Sequence, residues 1–158
     1  MKRTKIYLDT SVISMLDESS LGILTRRFFD VITHGDYELV TSDIVETEIE
    51  ASEEAKRDAI LHFLRELNVT TLSYKVESYN LAWKYVEDGV LTSNHIVDLS
   101  HVAHATVYEC NVLVSWNRRH IAKESKIQKI NACNFKYGYL PIIICTPQYF
   151  IDNMLRSE

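Results

Sequence analysis

The chain has 158 residues, 46% of them hydrophobic and 25% charged, with a formal net charge of −5. That length suits one domain over residues 1–158 with a single sizeable core, and the composition excludes a disordered or fibrous chain. The acidic balance argues against a general nucleic-acid coat, and no apolar run approaches the ~20 residues that cross a bilayer.

The basic start, "MKRTKIYLDT", has no small-residue cleavage site after its short apolar run, so a signal peptide is not expected. Cys110, Cys133 and Cys145 are odd in number and lack paired metal spacing, which suits a reducing cytoplasm. "KIYLDTS" reads as a first strand ending in Asp9, with Thr10 and Ser11 behind it. "GILTRRFFDVITHG" has helical spacing at Ile23, Leu24, Phe28, Val31 and Ile32 and stops at Gly35. "DYELVTS" is a second strand, after which Ser42 or Asp43 can cap a helix through "IVETEIEAS". A further helix carries Ala59, Ile60, Phe63, Leu64 and Leu67 on one stripe, and "VTTLSY" is a third strand by its β-branched content.

"KVESYNLAWKYVEDG" is expected to bury Val76, Tyr79, Leu81, Trp83 and Val86 before Gly89 ends it. "HIVDLSHVAHATVYEC" follows as a helix whose Ala103 and Ala105 permit close approach to a sheet. "NVLVSW" is a short, continuously apolar strand of the parallel type. A basic helix and a last strand, "LPIIICTP", complete the chain, with prolines only at the strand's two ends. This alternation predicts a three-layer α/β/α sandwich around a mainly parallel central sheet. Charge is uneven along it: residues 43–58 hold seven acids against two bases, and residues 118–136 hold six Lys/Arg against one acid.

Open parallel sheets bind ligands beyond the carboxyl ends of their strands. Asp9 closes the first strand, Glu48 lies in the helix after the second, and Asp98 stands near the start of the helix leading to "NVLVSW". Ser115 and Asn117 follow that strand at the same edge. Three carboxylates brought together repel unless protons or cations neutralise them. An all-oxygen set suits Mg²⁺ or Mn²⁺, and ions so held activate water and stabilise a phosphoryl displacement. A zinc triad of Asp98, His101 and His104 is awkward, because each step of three residues turns roughly 60° off a common helix face. A buried, hydrogen-bonded His101, a more exposed His104 and a His120 in an ordinary polar loop are expected instead. Trp83, Trp116, Tyr137 and Tyr139 are expected to pack in the core or a dimer interface rather than to stack bases.

Two other classes fail on residues. A haloacid-dehalogenase-type phosphatase needs a second Asp two places after the first, where Ser11 stands. Nucleotide-binding folds need a glycine-rich turn at a strand end, and Gly22, Gly35, Gly89 and Gly138 are isolated.

"IYLDTSVIS", "YELVTSDIVETEIE", "VDLSHVAHATVYECNVLVSWNRRHIA" and "INACNFKYGYLPIIICTP" resemble, in order and spacing, PIN-domain proteins of the VapC-like group. The likeness covers nearly the whole chain, and its most specific part is Asp98-x-x-His101 leading to "VSWNRRHI", similar to a subgroup ending S/T-W-N-x-x-H. The resemblance implies a metal-dependent ribonuclease, often the toxin of a toxin–antitoxin pair and often a homodimer. By position it makes Asp9, Glu48 and Asp98 the catalytic carboxylates and metal ligands, with Thr10 and Ser115 at hydroxyl positions beside them. Arg118, Arg119 and Lys123 are then the candidates for RNA contact, and an antitoxin would insert an Arg or Lys into the acidic pocket. Asn117 departs from the pattern, since many PIN nucleases carry a fourth Asp there. Two readings therefore stand: an endoribonuclease using Mg²⁺ or Mn²⁺, and a catalytically weakened fold that binds RNA or protein.

Overall fold

Short apolar runs such as "IYL" and "VLV", buried on both faces, form the middle of the sheet. The computed structural model describes residues 2–16 and 19–155. Among these lie five strands: β1 (Thr4–Leu8), β2 (Tyr37–Ser42), β3 (Thr70–Leu72), β4 (Val112–Val114) and β5 (Ile143–Cys145). They are ordered β3-β2-β1-β4-β5 and every neighbouring pair is parallel. The sheet is thus parallel throughout the described residues, as near-continuous apolar strands require.

The helices are α1 (Thr10–Ile13), α2 (Ser20–His34), α3 (Asp43–Glu50), α4 (Glu54–Glu66), α5 (Val76–Glu87), α6 (Ile96–Val107), α7 (Glu124–Lys136) and α8 (Pro147–Tyr149). A 3₁₀ turn, Ser93–His95, leads into α6, and a π turn, Phe150–Met154, follows α8. Strand alternation sends Ile6, Leu8, Val112 and Val114 to one face, where they meet Phe28, Phe29, Ile49, Ile60 and Phe150. Tyr7, Val40, Leu113 and Ile144 point the other way, onto Leu81 and Tyr85 of α5, Val102 and Ala103 of α6 and Ile130 of α7. These are the three layers of the sandwich. Each such aliphatic side chain contributes about 1.5–3 kcal/mol by leaving water.

One local expectation needs correction. The face that α5 buries is Ser78, Leu81, Ala82 and Tyr85, whereas Val76 is 72% and Tyr79 49% exposed. The i, i+3, i+4, i+7 set that includes small Ser78 and Ala82 fits against α6 better than the bulkier stripe. Gly35 ends α2 as expected, with extended backbone, and a Cβ there would run into the Tyr37 ring.

One buried polar contact ties the layers to the sheet edge. Trp116 Nε1 donates to Thr25 Oγ1 over 2.8 Å, with both residues buried. Thr25→Val keeps the shape but leaves the indole N–H without an acceptor, so we expect a loss of about 1–3 kcal/mol. A urea midpoint equal to that of the parent would show that the indole finds another acceptor.

The chain runs outward from β1 to β3, then returns to β4 on the other side of β1. The connections leaving β1 and β4 therefore diverge, and a crevice opens between the carboxyl ends of these two strands. Asp9 and Ser115 are the residues that stand there.

Candidate active site

Asp9 leaves β1 with its N–H still bonded to Val114 O at 3.2 Å, which holds it beside the end of β4. It begins α1 without capping it through its side chain; the carboxylate turns into the crevice and is only 5% exposed. Its Oδ2 accepts from Ser11 Oγ at 2.8 Å and from Ser115 Oγ at 2.7 Å. Ser11 Oγ in turn accepts from Trp116 N–H at 3.0 Å, and Ser115 Oγ from Asn117 N–H at 3.0 Å. Those backbone donors fix the direction of both hydroxyls, so each proton is directed at Asp9. Oδ2 of Asp9 is thereby held as an acceptor of two hydrogen bonds.

Glu48 projects from the second turn of α3. Its Oε1 accepts from Thr10 Oγ1 at 2.9 Å and from His101 Nε2 at 2.5 Å. His101 is 1% exposed, and its Nε2 lies 3.6 Å from Asp9 Oδ1. On the far side of the ring Nδ1 is 2.7 Å from Tyr7 OH, which is 2.7 Å from Ser42 Oγ. As an imidazolium, His101 has both protons placed: one on Glu48, the other on the Tyr7 oxygen, whose own proton passes to Ser42. Burial opposes the charge on His101, but the Glu48 hydrogen bond and the charges of Asp9, Glu48 and Asp98 outweigh it and raise its pKa. Burial likewise works against ionised Glu48, and the bond and charge of His101, with Thr10 behind them, prevail and lower its pKa. Tyr7 remains a phenol because burial pushes its pKa well up.

Asp98 sits in the first turn of α6, where the helix N-terminus favours a negative charge. Burial, then the nearby charge of Asp9, raise its pKa against the pull of His101, His120 and His95. Its Oδ2 faces His95 Nδ1 at 3.8 Å and His120 Nδ1 at 4.0 Å, and the two imidazole rings lie 3.9 Å apart. His120 is lowered in pKa by burial and by His95.

Asp9, Glu48 and Asp98 thus face one electrostatic neighbourhood, with His101 between the first two. Thr10 supports Glu48, and Ser115 supports Asp9. Asn117 plays a different part: its Oδ1 accepts from His120 N–H at 3.0 Å, which shapes the turn after β4. The basic residues divide. Arg119 and Lys123 line a cleft of about 710 Å³ together with His95, His120 and Lys126, whereas the Arg118 guanidinium lies 5.6 Å from the Trp116 ring and borders a separate groove along β5.

Two histidines differ from expectation. His104 is fully buried, with Nε2 3.6 Å from Asp43 Oδ1 and rings of Tyr74 and Tyr108 against it; Ala105 and Ala103 bring this part of α6 so close to the sheet that no side of the turn is left to solvent. His120 is not a loop bystander but packs on His95 beside Asp98. Tyr7 and His95 were not legible as neighbours of the site. The one signal for Tyr7 is its place two residues before Asp9, on the opposite face of β1 from Ile6 and Leu8.

A parallel five-stranded sheet between helical layers gives the chain a VapC-like PIN-domain fold. No family model matches the sequence, and no curated protein is similar to it. Among solved structures, the chain is similar to one in VapBC2 from Rickettsia felis bound to a promoter DNA fragment, with TM-score 0.57 and 15% identity over 90% of this chain and 98% of that one. It is also similar to a chain of DNA-bound VapBC from Salmonella typhimurium, with TM-score 0.57 and 16% identity over 91% of this chain and 98% of that one.

Proposed function

We propose that the protein is an endoribonuclease of the PIN type that holds Mg²⁺ or Mn²⁺ with Asp9, Glu48 and Asp98. The observation that carries this reading is a charge imbalance at the switch point. Three carboxylates face a single buried cation, His101, which leaves an excess of two negative charges when all are ionised. A divalent ion would remove that excess, and the oxygen donors suit a hard ion. Asp9 Oδ1 stands 3.6 Å from His101, too long for a hydrogen bond, so that oxygen is free to serve as a ligand.

The metal, when bound, would supply an activated water and a counter-charge for the phosphoryl oxygens. The chain's own residues do the rest. Ser11 and Ser115 keep Asp9 aimed; Thr10 orients Glu48. Arg119 and Lys123, beside Asp98, attract the phosphates of an RNA strand into the cleft. Removing the proton from His101 frees Glu48 for a ligand role and lifts the positive charge that faces Asp9. The protein works in the cytoplasm, where its three free, buried cysteines stay reduced, and no helix among the described residues is long and apolar enough to cross a membrane. The VapBC complexes among the similar structures support an antitoxin partner; in this reading that partner fills the acidic pocket with a cationic side chain, and the chain assembles as a homodimer.

A second reading has its own observation. His101 already bridges Asp9 and Glu48 as an internal cation, and the Asn117 oxygen is committed to the backbone of His120. A fold in that state can bind RNA or protein without cutting. Incubation of the full chain with single-stranded RNA separates the two. Cleavage in Mn²⁺ that EDTA abolishes supports the nuclease. Retention of intact RNA under every divalent ion, with no carboxylate-dependent metal binding by calorimetry, supports the binding module.

A further inference from the structure

His95, Asp98 and His120 come from three different local structures: the 3₁₀ turn, the first turn of α6 and the turn after β4. Yet each offers one ligand atom to the same space, and the three atoms lie within 4.8 Å of one another. The two contacts to Asp98 Oδ2, 3.8 and 4.0 Å, are too long for hydrogen bonds. They are close to what a metal requires. With metal–nitrogen and metal–oxygen bonds of roughly 2.0–2.2 Å, tetrahedral ligands stand roughly 3.4 Å apart. Small rotations of three half-exposed side chains close that gap.

We propose that His95, Asp98 and His120 form a binding site for a borderline first-row ion, Zn²⁺ in the first instance. Two imidazole nitrogens and one carboxylate oxygen are the donor set such ions prefer, and one that Mg²⁺ does not. Three protein ligands leave a coordination position open, and both histidines line the cleft that Arg119, Lys123 and Lys126 border. That position suits water or an anionic oxygen. Asn117 acts here as a positioning residue: by accepting from His120 N–H it holds the turn that aims the imidazole at Asp98. The side chain that differs from the usual nuclease pattern therefore has a structural task in this second site.

The inference does not depend on RNA cleavage, because it concerns histidines that the proposed nuclease centre does not use. Asp98 alone is common to both. A Zn²⁺ ion held by the histidines therefore takes Asp98 away from Asp9 and Glu48, so that zinc opposes a hard ion at the neighbouring site.

Calorimetric titration of the metal-free full chain with Zn²⁺ tests the site. We expect one zinc ion per chain, an affinity at least tenfold weaker in His95→Ala and in His120→Ala, and an affinity within about threefold of the parent in Glu48→Gln. Absence of zinc binding overturns the proposal, as does binding that survives both histidine substitutions or disappears with Glu48→Gln. Zinc-edge X-ray absorption on the unsubstituted chain provides a readout that needs no variant. Scattering from two imidazoles supports the site, and a shell of oxygens alone overturns it.

Discussion

Asp9→Asn is expected to lower Mn²⁺-dependent RNA cleavage about a thousandfold, equivalent to roughly 4 kcal/mol of transition-state stabilisation, while the thermal midpoint of the metal-free chain changes little. The asymmetry follows from the two oxygens of Asp9. Oδ2 takes the protons of Ser11 and Ser115, and the amide oxygen of Asn can accept both, so the local fold survives. Oδ1 faces His101 and the crevice. Asn puts an NH₂ there, which repels any cation and removes one of the charges that would hold it. Initial rates on single-stranded RNA, with circular dichroism as the control for folding, measure both effects. Cleavage within tenfold of the parent would remove Asp9 from the chemistry and with it the proposed metal centre.

The second large effect belongs to His101→Gln. The parent imidazolium is buried between Glu48 and Tyr7, with Asp9 in reach. Removing it leaves Asp9 and Glu48 facing each other without a cation. Breaking one side of a buried pair costs about 3–5 kcal/mol; Glu48 is 38% exposed on its side chain, so the lower part of that range applies to the metal-free chain. The pH dependence has a definite sign. The raised pKa of His101 means that its contribution is fully present below the ordinary histidine value of 6.5 and fades as pH rises through the folded value. The lowered pKa of Glu48 means that its contribution is fully present above 4.5 and is lost as pH falls through the folded value. Urea denaturation of parent and variant should therefore differ most between these limits and converge toward strong acid and strong base. In the same variant Mn²⁺ should bind on the order of tenfold more tightly, because an internal competitor is gone. Weaker Mn²⁺ binding would mean that His101 aligns Glu48 for the metal instead of opposing it.

The fold was largely legible because its signals are local. Runs such as "IYL" and "VLV" hide both faces, and helices separate them, which leaves a parallel sheet with two covering layers as the economical arrangement. Asp9 and Glu48 could be chosen from their positions after strands, and Asp98 from its place at the start of the helix that leads into β4, since ligands gather where strand order reverses. What remained hidden depends on distances between elements. Nothing in the chain specifies that α3 and α6 approach closely enough for His101 to bond Glu48, or that the turn after β4 folds back to bring His120 against His95. The α5 stripe was misread for a related reason: several faces of that helix carry apolar residues, and only contact with α6 selects the one with Ser78 and Ala82. His104 shows the same limit, because its burial follows from how deeply α6 sits on the sheet.

Strand β4 inserts between β1 and β5 and supplies Ser115, one of the two hydroxyls that clamp Asp9. Until residues beyond position 115 have left the ribosome, β1 lacks that neighbour and its terminal carboxylate lacks that restraint. A growing chain therefore cannot assemble the full constellation until that segment has emerged.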